Sequence, residues 1–435
     1  MSDTSEDTPS VSNRVRGTNA QVYRHYAWSL SGDLSGKVAI ALLTLLAARR
    51  LGPHPFATFV TGWAAALFAA TVWDAGLSLL ITREGAASGG FSWADVSHVL
   101  RLRAVLVPLW LAAISASLVA ASGGEAPAWG PLLLFALASI SNATSAIPLA
   151  ILRSRLQFGR AAAVLAVGKW AALLPIAVTL FAGWDVSRGL TLFAAAVLLG
   201  EITSLIGAII LAAPLVRAAM PPRPVVSLRA ALPWAANSFI TVSFNRYDVL
   251  LLAILSSVSQ VAFYAPATRL QDALSVFPAT LGLVALPALA ALWRNKDTAQ
   301  MRRTIATLTI VGVCMATIIA ALTTLLAPEL IRIGLGAGYE QAVLPLRILV
   351  WFLPLSAAVT PMLMAITASG GAADVTKVLV VVLACAILLH VVLDPHWGAV
   401  GASWASLGRE PVLLVGVVWF YRRRYARSSA AMERH

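Results

Sequence analysis

The sequence predicts an all-α integral membrane protein with twelve transmembrane helices in two six-helix lobes, and three observations predict it. The chain of 435 residues is 59% hydrophobic and only 12% charged, with a mean hydropathy of +0.82, whereas soluble domains carry about 25% charged residues. Apolar segments long enough to span a bilayer, which takes about 20 residues, follow one another along most of the chain. A basic, proline-containing segment at residues 216–230 interrupts them at the midpoint.

The first lobe is predicted at residues 25–215. Residues 1–24 precede it and are polar, without the apolar stretch that a signal peptide needs, so we expect a disordered cytoplasmic tail. Charged residues, glycines and prolines delimit the apolar segments that follow. The six predicted spans are 27–50, 56–82, 96–121, 128–152, 160–182 and 189–215.

The second lobe is predicted at residues 231–421, after a cytoplasmic linker at 216–230. A short repeat supports two related halves, because "LGEITSLIG" near the end of the first resembles "LGREPVLLVG" near the end of the second. Two halves with an even number of helices would share one orientation, related by an axis along the membrane normal. The predicted spans are 231–256, 260–291, 302–327, 341–369, 374–393 and 398–421, and residues 422–435 form a basic cytoplasmic tail.

The distribution of basic residues predicts the orientation. Of the 32 Lys and Arg residues, 22 are assigned to the tails and the connections on one side, Arg101 and Arg103 among them, and four to the other side. Cytoplasmic segments of membrane proteins are enriched in Lys and Arg, so both termini are expected in the cytoplasm. The same rule accounts for the net charge of +13 without a nucleic-acid partner.

Twelve charged residues inside the predicted spans are the candidate functional residues. At about 2.5–3.5 kcal/mol each, exposing all of them to lipid would cost roughly 30–40 kcal/mol. Most are therefore expected to line a wet cavity, to pair, or to reach the membrane boundary. The basic ones are Lys37, Lys169, Arg246, Arg269, Arg347 and Arg409, and the acidic ones are Asp33, Asp74, Glu201, Asp248, Asp272 and Glu410.

Polar stripes on two helices are interpreted as cavity linings. On the seventh helix, Arg246 points about 160° away from Asp248, so it is either a substrate contact or a bridge between helices. On the first helix, the alternative is that Asp33 and Lys37 form a self-neutralising pair. Each stripe falls within about 80° on a helical wheel, and the members are Ser29, Asp33, Lys37 and Thr44 on the first helix and Asn237, Thr241, Asn245 and Asp248 on the seventh.

The remaining intramembrane charges need partners. Arg269 and Asp272 are spaced to pair within one helix. Lys169 is isolated in its span, and Asp74 and Glu201 on neighbouring helices are its candidate partners. The adjacent residues 409 and 410 point apart on a regular helix, so Arg409 and Glu410 are each expected to pair elsewhere.

Signals for catalysis and for cofactors are absent from the sequence. It contains no Walker loop, and no His, Cys and Asp cluster has metal-ligand spacing. The segment "HVVLDPH" at residues 390–396 is interpreted as a boundary loop rather than a zinc site. We expect no cofactor, no metal and no enzymatic activity.

Five stretches, in order along the chain, carry a family resemblance: "LGPHPFATF", "DAGLSLLITREGA", "YDVLLLAILSSVSQVAFYAPATRLQDAL", "GLGAGYEQAVLPLRIL" and "GASWASLGREPVLL". Together they resemble the polysaccharide-exporting flippases of the multidrug/oligosaccharidyl-lipid/polysaccharide exporter superfamily, which includes the O-antigen flippases. The resemblance covers nearly the whole chain and is weakest in the fifth and sixth helices.

The resemblance implies two lobes around a central cavity. By alternating access, such a protein moves a polyprenyl-pyrophosphate-linked oligosaccharide from the inner to the outer leaflet of the bacterial inner membrane, for O-antigen, lipopolysaccharide or exopolysaccharide synthesis. Membrane lipids, and the polymerase and chain-length proteins of the pathway, would be further partners. It singles out Lys37, Arg246 and Arg269 for the pyrophosphate, with Asp33, Asp74, Asp248 and Asp272 as partners or coupling groups. The polar stripe of the seventh helix adds Asn237, Thr241 and Asn245 as candidate substrate contacts. Lys169, Glu201 and Glu410 are further candidate charge partners within the spans.

The charge balance departs from the family's expected chemistry, because six acids balance six bases among these twelve candidates, whereas a cavity for an anion should be net positive. The alternative function is a small-molecule antiporter of the multidrug and toxin extrusion type. It would suit a cavity lined mainly by acids and aromatics, whereas basic residues in helices one, seven and eight suit an anionic head group. A membrane polymerase or ligase would have a large outer loop, which is missing here, and a scaffold for polymer synthesis remains open.

Overall fold

The computed structural model describes residues 31–32, 34–88, 91–122, 129–181, 189–216, 227–278, 285, 289, 292–295, 297–336 and 338–432. The elements in these ranges are α-helices and short 3₁₀ helices. Helical residues occur in each of the twelve predicted spans. The whole predicted N-terminal tail, the last three residues of the predicted C-terminal tail and most of the predicted linker lie outside the described residues.

The first half begins with helix α1 at residues 34–51. Its second predicted span is two helices, because Ala75 and Gly76 between them adopt left-handed φ angles of 45° and 71°. Its third is also two helices, bent by 51°. The helices are α2 (Pro53–Asp74), α3 (Leu77–Ser88), α4 (Trp93–Val105), α5 (Val107–Ser122), α6 (Trp129–Ser154), α7 (Phe158–Ala171), α8 (Leu174–Phe181) and α9 (Gly189–Ala212), with a 3₁₀ turn at Ala213–Leu215.

The second half differs from the predicted spans mainly at its last two helices. They form one continuous element that is broken only at Gly398, where φ is 52° and ψ is −129°. The helices are α10 (Leu228–Leu255), α11 (Val258–Leu274), α12 (Thr298–Leu335), α13 (Val343–Leu349), α14 (Phe352–Ala368) and α15 (Ala372–Met432), with a 3₁₀ turn at Glu340–Ala342 before α13.

By length and composition, seven of the described helices could cross a membrane, or eight if the bent α4–α5 pair is one span. The segment 374–424 counts once among them although it has 51 residues. At 1.5 Å per residue this is far longer than the roughly 30 Å of a bilayer core, so the break at Gly398 separates two spans. The chain is a multi-pass membrane protein.

Local sequence defines where several helices begin. Ser92 caps α4 by accepting a hydrogen bond from the backbone N–H of Asp95, whose carboxylate accepts one from the Ser92 N–H in return. Ser227 caps α10 and Asp297 caps α12 through bonds of 3.2 Å and 2.9 Å to backbone N–H groups. Such caps satisfy donors that the first helical turn would otherwise leave unpaired.

Each half packs mainly on itself. In the first half, α2 packs against α5 and α6, and α9 packs against α6 and α7. In the second half, α15 packs against α10 and α14, and α12 packs against α14. The halves meet where α2 contacts α10 and α11. We call the contact between these helices the seam between the two halves.

An apolar core closes the seam at the end where α1 runs into α2. Phe56 and Phe59 of the first half lie in one buried cluster with Val261 and Tyr339 of the second. The Phe56 and Tyr339 rings meet edge to face at 6.1 Å, and the Tyr339 hydroxyl donates a 2.8 Å hydrogen bond to the carbonyl of Ala48. Side-chain packing with one described hydrogen bond holds the halves together there.

The seam is also tight where α2 gives way to α3. A Cβ on Gly76 would lie only 2.1 Å from the backbone nitrogen of Ala235. Real Cβ atoms do not approach that closely, so only glycine allows α10 to approach here, and its positive φ adds a second reason. On either side, Phe68 meets Phe239 at 5.3 Å and the Arg83 guanidinium lies 5.7 Å from the Trp234 ring centre.

We therefore expect Gly76→Ala to destabilise the protein by separating α2 from α10. The overpacking should lower the free energy of unfolding by about 1–3 kcal/mol, measured as a fall in the thermal midpoint of the purified protein. Gly52→Ala is the matched control, since Gly52 has a φ of 72° but open space around its Cβ position. Equal losses in the two variants would show that backbone strain, not the contact with α10, explains the effect.

Candidate functional site

A cleft of about 360 Å³ lies between α1 of the first half and α11 of the second. Its charged lining consists of Lys37, Arg269 and Asp272, and much of the rest is aliphatic. The cleft thus joins a basic surface to an apolar one. The aliphatic lining includes Leu34, Val38, Ile40, Leu42, Leu45 and Val276.

The charges of the cleft differ in exposure. Arg269 and Asp272 form an ion pair of 3.2 Å one turn apart on α11, as their spacing predicted. The Arg269 side chain is packed into the protein, while that of Asp272 is 56% exposed. Lys37 faces this pair across the cleft from α1 and is exposed. With two cations and one carboxylate, the described lining is net positive and can bind an anion.

The residues of the seventh-helix stripe fall largely outside the described side chains. The backbone of α10 is helical throughout, but the side chains at the predicted sites Asn237, Thr241, Asn245 and Arg246 are not among those described. Asp33 of the first helix also lies outside the described residues. In that first stripe, Thr44 is buried and donates to the Ile40 carbonyl of its own helix, so it does not line the cleft.

Asp248 belongs to a buried polar network in the second half. Its carboxylate accepts a 2.8 Å hydrogen bond from the Tyr264 hydroxyl, which also lies 2.8 Å from the Ser406 hydroxyl. Ser406 lies 3.5 Å from Nε2 of His390, and Nδ1 of that ring is 2.8 Å from the Asp394 carboxylate. The network thus links α10, α11 and both parts of α15.

The sequence interpretation missed His390 and Asp394. The boundary loop predicted at residues 390–396 is wrong, because α15 stays helical through this segment and is broken only at Gly398. Both side chains are fully buried. The signal that could have revealed them is their spacing, since residues four apart on a helix face the same way.

The prediction that Arg409 and Glu410 pair elsewhere is also wrong. Nε of Arg409 lies 3.1 Å from Oε1 of Glu410, and the guanidinium also donates to the Tyr247 hydroxyl at 3.3 Å. Helical direction separates the two Cβ atoms, but both side chains are long enough to converge beyond them. Both residues are buried, so each supplies the charge partner that the other needs inside the second half.

Two ion pairs lie inside the first half. Lys169 pairs at 2.6 Å with Glu201, one of the two acids that the sequence offered, and Asn142 donates to the other carboxylate oxygen of Glu201 at 2.9 Å. Asp74 instead pairs with Arg103, which also donates to a backbone carbonyl of α6. Arg103, which the count of basic residues placed in a connection between helices, is only 2% exposed and lies inside the first half.

The sequence identifies the family. A family model described as polysaccharide biosynthesis protein matches residues 46–344, which is more than half of the chain. The chain belongs to this family. Comparison with curated proteins gave no significant match.

The chain also resembles solved transporters. It matches the lipid II flippase MurJ in an inward closed conformation with a TM-score of 0.70 and 13% identity, over 89% of this chain and 86% of that one. It matches an inward-facing multidrug resistance MATE family transporter of the MOP superfamily with a TM-score of 0.72 and 15% identity, over 91% and 96%. These likenesses confirm the predicted all-α, two-lobe membrane fold.

An outward-facing multidrug resistance MATE family transporter of the MOP superfamily also matches, with a TM-score of 0.57 and 17% identity over 93% of this chain and 96% of that one.

Because Glu201 is buried, the Lys169–Glu201 ion pair can be tested by its effect on the free energy of unfolding. Lys169→Met should lower the free energy of unfolding by about 3–5 kcal/mol, because it leaves a buried carboxylate without its cation. Adding Glu201→Gln should recover much of that loss. A thermal-unfolding double-mutant cycle measures both. As a control, Arg332→Met breaks the exposed Arg332–Glu329 pair and should cost no more than about 1 kcal/mol. Additive losses at Lys169 and Glu201 would contradict the pairing.

Proposed function

We propose that this protein is a flippase that moves a polyprenyl-pyrophosphate-linked oligosaccharide from the inner to the outer leaflet by alternating access, for cell-surface polysaccharide synthesis. The observation that carries the proposal is the cleft between the halves of a polysaccharide biosynthesis protein, with Lys37 on one half and Arg269 on the other. The fold of the lipid II flippase MurJ supports it.

The cleft has the chemistry that such a substrate requires. Ammonium and guanidinium groups form strong, charge-assisted hydrogen bonds with phosphate oxygens. The aliphatic lining beside them suits the part of the polyprenyl chain next to the pyrophosphate. The rest of that chain gains nothing by leaving the hydrocarbon core. The pyrophosphate would thus enter the cleft between α1 and α11 while the lipid tail stays in the bilayer.

The other predicted site residues divide into two groups in this proposal. Arg246, Asn237, Thr241 and Asn245 would extend the substrate surface from α10, with Asp33 and Asp272 as charge partners near the basic residues. Asp74, Lys169, Glu201 and Glu410 would act as charge partners inside the halves, since the described members of this group are paired there.

Asp248 is the best candidate for a coupling group. It joins His390 and Asp394 through Tyr264 and Ser406. Intramembrane acids and histidines commonly form proton relays. Arg409, Glu410 and Tyr247 are the other charged or titratable groups packed beside this network. A proton bound there would change the packing of α10 against α15.

The orientation and the partners follow from the proposed function. Both termini would lie in the cytoplasm of a bacterium, and the protein would lie in its inner membrane beside the polymerase and chain-length proteins that use the product. Transport, rather than an enzymatic reaction, is the activity of this proposal.

The second candidate is a small-molecule antiporter, which the TM-score of 0.72 to a MATE family transporter favours. The basic lining of the cleft weighs against it, because a cationic drug would be repelled by Lys37 and Arg269. Drug export from cells that express the protein, with normal surface polysaccharide in cells that lack it, would favour the antiporter.

Arg246→Ala and Arg269→Ala should each reduce surface polysaccharide by roughly tenfold or more in cells that carry no other copy. Each removes a charge-assisted bond to phosphate worth about 1.5–3 kcal/mol. Arg347→Ala is the control, because the Arg347 side chain donates to the Thr324 carbonyl away from the cleft, and it should change the amount by less than about twofold. In cells with either cleft variant, lipid-linked sugar should accumulate in the inner leaflet. Normal export in both cleft variants would overturn the assignment.

Asp394→Asn and His390→Gln should uncouple transport from a proton gradient. In proteoliposomes with an imposed pH gradient, the transport rate should fall by roughly tenfold, while substrate affinity stays within about twofold. Glu329→Gln, which removes an exposed acid on α12, should leave both unchanged. If the two network variants retained the gradient dependence of the unmodified protein, the coupling role would be wrong.

A further inference from the structure

A second cavity lies wholly within the second half, away from the seam. It has a volume of about 760 Å³ and lies between the first turns of α15 and residues 419–424 in the C-terminal part of the same helix. We call it the aromatic-basic cavity. Its lining residues are Trp293, Asp374, Lys377, Trp419, Phe420, Arg423 and Arg424.

Arg424 lines the aromatic-basic cavity and bonds to two groups at the start of α15. Its guanidinium lies 3.2 Å from the Asp374 carboxylate and donates to the Ser369 carbonyl in the turn between α14 and α15. Gly370 allows that turn with a φ of 78°. These contacts join the C-terminal part of α15 to its first turn and to the turn before it.

Lys377 and Arg423 supply the accessible charge. The Lys377 side chain is 69% exposed and lies 3.5 Å from Asp374, which it shares with Arg424. Arg423 lies with its guanidinium 5.1 Å from the ring centre of Trp419, where the ring face attracts a cation. Three cations and one carboxylate line the cavity, so it is net positive.

The apolar side of the cavity consists of Trp293, Trp419 and Phe420. Tryptophan is enriched at the head-group level of membranes because its ring is apolar and its N–H is polar. Basic pockets between helices on the cytoplasmic side suit anionic head groups, and this cavity lies at the basic end of the last span. The combination fits a phosphodiester that is attached to an apolar glycerol and acyl region.

We propose that the aromatic-basic cavity binds an anionic phospholipid of the cytoplasmic leaflet. The phosphodiester lies between Lys377 and Arg423, and the glycerol and the upper acyl chains lie against Trp293 and Trp419. This site is separate from the cleft and does not depend on the transported substrate.

Binding can be measured by native mass spectrometry of the delipidated full-length protein, titrated with phosphatidylglycerol and with phosphatidylcholine that has the same acyl chains. The unmodified protein should prefer phosphatidylglycerol. Lys377→Gln with Arg423→Gln should weaken that binding by roughly tenfold or more, and Trp419→Leu should weaken both lipids. Arg422→Gln with Arg303→Gln is the matched control, since both residues are exposed and neither lines the cavity.

Three outcomes would overturn the proposal. Equal weakening in the control would mean that diffuse surface charge, not the cavity, selects the lipid. Equal affinity of the unmodified protein for the two lipids would mean that no anionic head group is recognised. Displacement of phosphatidylglycerol by inorganic phosphate at equal concentration would mean that the cavity binds the free ion and makes no use of its aromatic side.

Discussion

An ionised side chain inside a bilayer needs a partner within the protein, and this constraint organises the whole molecule. Asp74 with Arg103, Lys169 with Glu201, and Arg409 with Glu410 all satisfy it inside one half. None of these three pairs crosses the seam. The buried charges therefore hold each half together as a unit and leave the contact between the halves to other forces.

The contact between the halves is largely apolar. Aromatic rings such as Phe56 and Tyr339, and the close approach at Gly76, carry it. Such packing can separate at one end and form at the other without leaving a buried charge unpaired. Lys37 and Arg269 lie on opposite sides of the cleft, so movement of the halves changes their separation. The affinity of the cleft for a doubly charged group would then differ between conformations, which is what drives a ligand-dependent population shift.

The sequence predicted the helical spans and the two halves because hydropathy and length dominate those features. It also offered Glu201 as a partner for Lys169. The sequence did not predict contacts that depend on side-chain length and on tertiary packing. A helical wheel gives the direction of a Cβ atom but not where a long side chain ends, so the pair between residues 409 and 410 was missed. The burial of Arg103 depends on the bend between α4 and α5 and on α6, none of which its position in the chain reveals.

The two basic surfaces differ in what a bound ligand can do. The cleft spans both halves, so its ligand can favour one conformation over another. All residues of the aromatic-basic cavity belong to the second half, where Arg424 bonds to Asp374. A ligand with equal affinity for two states shifts no equilibrium, however tightly it binds. An anionic lipid in this cavity would therefore stabilise the second half and fix its depth in the membrane. The first half would then move relative to a second half that keeps its position.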